Sequence, residues 1–217
     1  MSGVFVTGTD TGVGKTVACV ALLRGCAAGG LRAVGMKPVA AGLEPGAAHN
    51  DDVLALARAS GIDAPPDERN PYAFREPIAP HLAAAHEGVR IDLGVIVSAY
   101  RRLHARAGVV VVEGAGGALV PLGAHEDMLD IPRALRLPVI LVVGLRLGCL
   151  NHALLSALAI RARGLDLAGW IATRIDPAMA CADENLAWLD AALPAPRLAD
   201  LRSALPPPLD PGALLRG

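Results

Sequence analysis

Gly8-Thr9-Asp10-Thr11-Gly12-Val13-Gly14-Lys15-Thr16 decides the architecture of this chain, because of what stands on either side of it. Residues 4–7 before it form a short apolar run that reads as a strand. Residues 15–28 after it read as a helix, stopped by Gly29-Gly30. A glycine-rich turn from strand to helix lets successive N–H groups point at phosphate oxygens, and the positive end of the helix dipole adds to the attraction. In that setting Lys15 reaches the β- and γ-phosphates and the Thr16 hydroxyl ligates Mg2+. The usual spacing leaves four residues between the first glycine and Gly-Lys-Ser/Thr; here five separate Gly8 from Gly14. A dinucleotide fingerprint does not fit: counted from Gly12, its sixth position is Val17, and no acidic residue follows at the required distance.

Outward from the loop, short apolar runs alternate with helix-length segments. Residues 31–36, 109–112, 139–143 and 168–172 read as strands, and 109–112 is a β-branched run of the kind buried on both faces of a parallel sheet. Helices are expected over 15–28, after a loop holding His49-Asn50-Asp51-Asp52 through about residue 60, and over 93–107. This order predicts an α/β fold, a single-domain parallel β-sheet flanked by helices of the P-loop NTPase type, spanning 1–217. Residues 63–80 hold five prolines and read as a long irregular connection with a binding or lid role. The tail, 206–217, reads as loop with a short turn.

Composition narrows the class. With 217 residues the chain can bury a full core, and its 53% apolar content includes only 3% aromatics. The apolar runs at 109–112 and 138–143 fall far short of the roughly 20 residues that cross a bilayer. No basic start precedes the first strand, so a cytoplasmic location without membrane attachment is the expectation. A net charge of −1 leaves no electrostatic footprint for nucleic acid. Cys19, Cys26, Cys149 and Cys181 form no metal-ligand cluster, and are read as buried reduced thiols; Cys19 and Cys26 share one helix face.

The expected strands end in Gly8, Lys37, Glu113, Gly144 and Thr173. Ligands bind beyond the carboxyl ends of strands in open parallel sheets, so these residues should meet at one edge. Lys37 is one of only two lysines, with Lys15. Glu113 ends a buried run, a costly place for a carboxylate without a compensating cation. Asp51 and Asp52 are rivals for a metal-ligand role, and either suits a helix N-cap equally well. Gly114, Ala115, Gly116 and Gly117 bring backbone close to a ligand, or form a tight turn from strand to helix. Gly148, Cys149, Leu150 and Asn151 precede a helix, and their free N–H groups suit a carboxylate. His81 and His152 fit either a base or a structural hydrogen bond.

Together the expanded loop, Lys37-Pro38-Val39-Ala40, Asn70-Pro71-Tyr72, Pro80-His81, Val112-Glu113-Gly114-Ala115-Gly116-Gly117 and Leu147-Gly148-Cys149-Leu150-Asn151-His152 resemble the dethiobiotin synthetase family. Those segments run from about residue 4 to about 200, nearly the whole chain. The resemblance implies that CO2 adds to an amine of 7,8-diaminopelargonic acid, that ATP phosphorylates the carbamate, and that the second amine closes a cyclic urea. It implies catalytic roles for Lys15, Lys37 and Thr11, and Mg2+ held by Thr16, Asp52 and Glu113. For the nucleotide it implies Gly12, Val13, Gly14, Lys15, Thr16, Val17, Asp52, Glu113, Gly114, Ala115 and Gly116, with Thr173, Arg174, Arg202 and Ser203 at the base. For the substrate it implies Lys37, Ala41, Gly148, Cys149, Leu150 and Asn151. A homodimer with active sites at its two-fold interface is also implied, Asn185 reaching the carboxylate from the second subunit.

Two positions depart from the family pattern. Ala41 replaces a Ser or Thr hydroxyl, removing a hydrogen bond to a charged group worth about 1.5–3 kcal/mol. Thr173 replaces an Asn that reads the purine, so weak adenine selectivity is expected. Two other classes share the loop. A ParA/MinD-type switch ATPase has a lysine early in the loop, where Thr9, Asp10 and Thr11 stand here. Cobyrinate-type amidases carry a glutaminase domain for which this chain has no room.

Overall fold

In the computed structural model, which describes residues 2–44, 46–210 and 212, eight strands and eight helices are placed among the described residues. They are β1 (Ser2–Gly8), α1 (Lys15–Ala28), β2 (Ala33–Met36), β3 (Val39–Ala41), α2 (Asp51–Ala59), α3 (Pro66–Arg69), β4 (Tyr72–Phe74) and α4 (Pro80–His86). The second half adds α5 (Leu93–Ala107), β5 (Val109–Gly117), α6 (Asp130–Leu135), β6 (Val139–Gly144), α7 (Cys149–Ala162), β7 (Leu167–Thr173), α8 (Ala182–Ala192) and β8 (Arg197–Leu201). Six strands form one parallel sheet in the order β2-β5-β1-β6-β7-β8.

The valine run explains why this sheet is covered on both faces. Side chains alternate across a strand, so Val109 and Val111 face one way and Val110 and Val112 the other. Val109 and Val111 enter a core with Cys19, Leu22 and Leu23 of α1 and Leu56 of α2. Val110 and Val112 enter another with Tyr100 and Leu103 of α5 and Ile160 of α7. A run apolar at every position therefore buries both faces, as parallel sheets require. β1 lies in the middle, its chain turning outward to β2 on one side while β6 pairs on the other. The crevice at that reversal is where this architecture binds ligands.

The helix expected over 15–28 is α1, and that expected over 93–107 is α5. The strand expected over 31–36 begins only at Ala33. Residues 63–80 differ most from expectation. Pro65 and Pro66 start α3, because a proline at the first helical position has no N–H to lose. β4 then pairs with β3 in a small second sheet, with Tyr72 and Phe74 buried. Glu68 is buried against Arg102 and Arg106 of α5, and the Arg69 guanidinium against the carbonyls of Ile62 and Ala64. Such anchoring makes this segment a scaffold, and a lid role does not fit it. Elements α4, α6, α8 and β8 were not anticipated. Their patterns are short or, in β8, half-exposed, as suits an edge strand.

Gly114 to Gly117 continue β5 beside β1 and form no turn into a helix. Cys19, Cys26 and Cys149 are buried, but Cys181 is exposed, contrary to the reading of four buried thiols. The tail is irregular from 202 to 210, while 211 and 213–217 of the expected terminal turn lie outside the described residues. No helix among the described residues is long and apolar enough to cross a membrane.

Asn70 joins the two sheets. Its amide donates to the Lys37 carbonyl at 2.7 Å and to the Tyr72 carbonyl at 2.9 Å. Asn70→Ala is expected to lower the unfolding free energy by about 1–3 kcal/mol, read from urea denaturation. A loss under about 0.5 kcal/mol would mean that packing alone holds the small sheet.

Candidate active site

The loop from Gly8 to Gly14 closes on itself before any ligand is considered. Gly14 sits at φ 83°, a left-handed conformation that other residues adopt at a cost, and caps α1. A Cβ on Gly8 would come within 2.6 Å of a Val13 methyl. Lys15 is buried and its ammonium donates to the Asp10 carbonyl at 2.9 Å. Burial holds the Lys15 pKa below its ordinary value, with Lys37 adding to the effect and Glu113 and Asp52 opposing it.

Beside the loop lies a cluster drawn from four elements. Lys37, just after β2, donates to Glu113 of β5 at 2.7 Å and also to Asp52 of α2. The Thr16 hydroxyl of α1 lies 2.8 Å from Asp52 Oδ1 and 2.9 Å from Glu113 Oε1, its hydrogen going to one at a time. Lys37 and Glu113 are only 5% and 1% exposed, so these charges have little water to fall back on. Burial alone would lower the Lys37 pKa, but Glu113 and Asp52 outweigh it and hold the ammonium above 10.5. Burial likewise opposes the Asp52 charge, yet Lys37 prevails and keeps that carboxyl below 3.8.

Asp52 reaches the cluster because Asn50, not either aspartate, caps α2, accepting from the Asp52 N–H at 3.0 Å. Asp51 is exposed on the first turn. Glu113 Oε2 is buried with no hydrogen-bond partner. An orphaned carboxylate oxygen beside Asp52 and a hydroxyl makes an all-oxygen donor set, which fits a hard divalent cation such as Mg2+. Thr11 is exposed on the loop, and a methyl on Gly116 would meet its hydroxyl at 3.5 Å. Ala41 is half-buried at the end of β3.

At the other end of α1's first turn, Gly14, Val17, Thr173, Arg174, Arg202 and Ser203 line a cavity of about 170 Å³. Thr173 is buried, and its hydroxyl already donates to the Val13 carbonyl at 2.6 Å. That hydroxyl therefore has no hydrogen left for a base; it holds the phosphate loop. The Arg174 guanidinium is turned onto Asp200, at 3.0 and 2.8 Å, and Asp183. Arg202 shares Asp200, and the Ser203 hydroxyl accepts from the Leu205 N–H at 3.1 Å.

A second cavity, about 450 Å³, lies at the start of α7, lined by Gly148, Cys149, Leu150, Asn151 and Asn185 among others. Gly148 is the N-cap, so Cys149, Leu150 and Asn151 are the first turn itself. The Cys149 N–H is spent on the Arg146 carbonyl at 3.0 Å. Asn185 stands against this turn in the same chain, its amide donating to the Cys181 carbonyl. His152 is half-buried, and His81 Nδ1 is buried without a partner. Three strand spacings separate β2 from β6, so this turn lies about 14 Å across the sheet from Lys37. Two contacts escaped the sequence reading: Asn50 as the cap, and an ion pair between Asp10 and Arg146. The Asn before the paired aspartates was a legible signal; nothing local marks residues 136 positions apart as partners.

A family model described as an AAA domain matches residues 2–204. The chain is 55% identical over 196 residues to the ATP-dependent dethiobiotin synthetase BioD of Aromatoleum aromaticum, covering 89% of this chain and 87% of that protein. Among solved structures it is similar to chloroplast FtsY from Physcomitrella patens, with a TM-score of 0.56 and 17% identity. The match covers 99% of this chain and 63% of that one. The signal recognition particle receptor FtsY from Elizabethkingia anophelis gives the same TM-score at 14% identity, covering 98% of this chain and 61% of that one. The chain thus spans less than two thirds of either FtsY structure, and that likeness is one of fold alone.

The cluster has a pH signature. Because the Asp52 pKa is depressed, its contribution to stability is present above 3.8 and is lost as pH falls through the folded value. Because the Lys37 pKa is raised, its contribution is present below 10.5 and is lost as pH rises through the folded value. The stability advantage of the native chain over Lys37→Met should therefore be level between those limits and shrink beyond both. Denaturant titrations across pH would show it, and a difference independent of pH would refute the pairing.

Proposed function

The chain belongs to the dethiobiotin synthetase family, and on that premise we propose that it uses ATP to carboxylate 7,8-diaminopelargonic acid and close its cyclic urea. The observation that carries this reading is the buried Lys37 ammonium, set between Glu113 and Asp52 and beside the phosphate loop. The reaction brings together two anions, a carbamate and the γ-phosphate. Phosphoryl transfer is catalysed largely by positioning charge around such groups.

In the proposed sequence one amine attacks CO2 and loses a proton, giving a carbamate. A carbamate oxygen then takes the γ-phosphoryl group as ADP leaves, forming a carbamic-phosphoric anhydride. The second amine attacks the carbonyl carbon and expels phosphate. Lys37 neutralises the carbamate and the incoming phosphoryl group, which its compact charge can follow. Lys15 exchanges the Asp10 carbonyl for phosphate oxygens, and the Thr11 hydroxyl would contact the transferring group. Thr16, Asp52 and Glu113 would hold Mg2+, which when bound adds positive charge to the phosphate oxygens. The main-chain N–H groups of Gly12, Val13, Gly14, Lys15 and Thr16 cradle the phosphates.

Val17, Thr173, Arg174, Arg202 and Ser203 form the base end, and Gly114, Ala115 and Gly116 flank the phosphate end. With the Thr173 hydrogen and the Arg174 guanidinium already committed, the base meets few free side-chain donors, which supports weak discrimination among ATP, GTP and CTP. Leu150 and Asn151 N–H groups at the start of α7 would take the substrate carboxylate, with Asn185 beside them. Ala41, at the end of β3, would border the carbamate without offering it a hydroxyl. A homodimer is part of the proposal: Leu147, Leu155 and Leu158 are 95%, 56% and 62% exposed on and beside α7. The cluster of large apolar side chains is unusual for an uncovered helix face. The whole of 1–217 acts as one unit, placed in the cytoplasm with its co-substrate ATP.

Purified protein given ATP, Mg2+, bicarbonate and diaminopelargonic acid should yield dethiobiotin by mass spectrometry; ATP hydrolysis without the cyclic urea would sink the proposal. Lys37→Ala should lower kcat at least about 100-fold while ATP affinity changes only several-fold. Near-normal turnover would remove Lys37 from the chemistry. Leu155→Asp with Leu158→Asp should convert a dimer to a monomer in sedimentation equilibrium, and an unchanged mass would place the interface elsewhere.

A further inference from the structure

Asp10 puts a carboxylate at the tip of a loop read above as an anion site, and like charges close together disfavour binding. Three contacts hold it. Its carbonyl accepts from Lys15 at 2.9 Å, one carboxylate oxygen accepts from the Thr11 N–H at 2.7 Å, and the other pairs with the Arg146 guanidinium. Arg146 lies in the turn between β6 and α7, and that turn is itself fixed. The Leu145 N–H donates to the Thr173 carbonyl at 2.8 Å, and the Arg146 carbonyl receives the Cys149 N–H at 3.0 Å. Thr173 in turn grips Val13 through its hydroxyl. The expanded phosphate loop is thus held at two points from the β6–β7 side of the sheet, one neutral and one charged.

We propose that Arg146 is a positioning residue for nucleotide binding: it neutralises Asp10 and holds the loop tip, so that phosphates enter a site without an uncompensated negative charge. The inference rests on the reading that this loop binds the phosphates of ATP. It gives the Asp10 carboxylate a defined cost and a defined use. The oxygen facing Thr11 fixes the loop's turn, as an asparagine oxygen would do equally well. The charge of the other oxygen is a liability offset by Arg146. Both side chains are nearly half exposed, at 42% and 45%, so the pair works in a partly screened setting.

The test is the affinity for Mg·ATP, measured by isothermal titration at low ionic strength. Arg146→Ala should weaken binding about tenfold, and Arg146→Lys no more than about threefold. Asp10→Asn keeps the oxygen for the Thr11 N–H and removes the charge, so it should stay within about threefold of the native chain. The deciding variant combines Asp10→Asn with Arg146→Ala and should bind more tightly than Arg146→Ala alone, returning to within about threefold of native. A contact serving only to stiffen the loop predicts the reverse, because the second substitution would add damage. Arg146→Ala within about twofold of native, or a double variant no tighter than Arg146→Ala, overturns the proposal. Failure of the native chain to bind ATP would instead refute the phosphate-loop reading on which it rests.

Discussion

A carboxylate inside a parallel sheet, at Glu113 on the buried stretch of β5, is the constraint around which the site is built. Glu113 is 1% exposed, and the sheet gives it no water. Burying a charge costs several kcal/mol unless a partner and hydrogen bonds compensate. Lys37 is that partner, and it can serve only because β2 lies next to β5 in a register that pairs Met36 with Val112 and so brings the end of β2 beside Glu113. Asp52 and Thr16 complete the set from α2 and α1. Two ammonium groups and two carboxylates then balance without any ligand, a state the interior tolerates. An entering nucleotide brings its own negative charge, and the same side chains can exchange partners. Pre-assembled oxygens and ammonium groups need little reorganisation at that moment, which is the advantage of electrostatic preorganisation.

The small second sheet acquires its meaning from this cluster. Lys37 is followed at once by Pro38, so its strand cannot continue in the main sheet. The Lys37 N–H is taken by the Arg69 carbonyl and its own carbonyl by Asn70. Arg69 is fixed by Ser60 and the carbonyls of Ile62 and Ala64. The proline-rich segment, which looks structureless in composition, therefore holds the backbone of the site's central lysine. Rigidity rather than motion is what its buried charges and paired backbone provide.

Much of this was legible from residue order. The valine run implied a sheet covered on both faces, and the glycine-rich turn between strand and helix placed the phosphate loop. Lys37 and Glu113 could be marked because charged residues at the ends of apolar runs need a reason. What was not legible depends on side-chain contacts between distant positions. Thr173 read as a base contact because its place in the resemblance suggested one; only geometry shows its hydroxyl turned back to Val13. Arg174 likewise carries the charge of a ligand-binding residue but is held by Asp200 and Asp183. Short elements such as β4 and β8 escaped because their stability comes from pairing partners, not from local pattern.

The two ends of the site differ in a way that follows from the sheet order. The phosphate end draws on β1, α1, β2, α2 and β5, which are neighbours, and its charged groups already pair within one chain, Glu113 Oε2 alone among their oxygens lacking a partner. The turn at the start of α7 sits on the other side of β1, with the phosphate loop between it and Lys37. In the proposed reading one substrate reaches both ends, so its length must bridge that gap, or a second copy must bring the turn closer. Leu147 just before α7 and Leu155 and Leu158 on it are exposed, so an apolar surface adjoins the proposed carboxylate site. If covering the leucines and completing the site are one event, subunit association selects the geometry in which substrate binds. The phosphate end would then confer nucleotide affinity on each chain, and assembly would confer specificity for the acid.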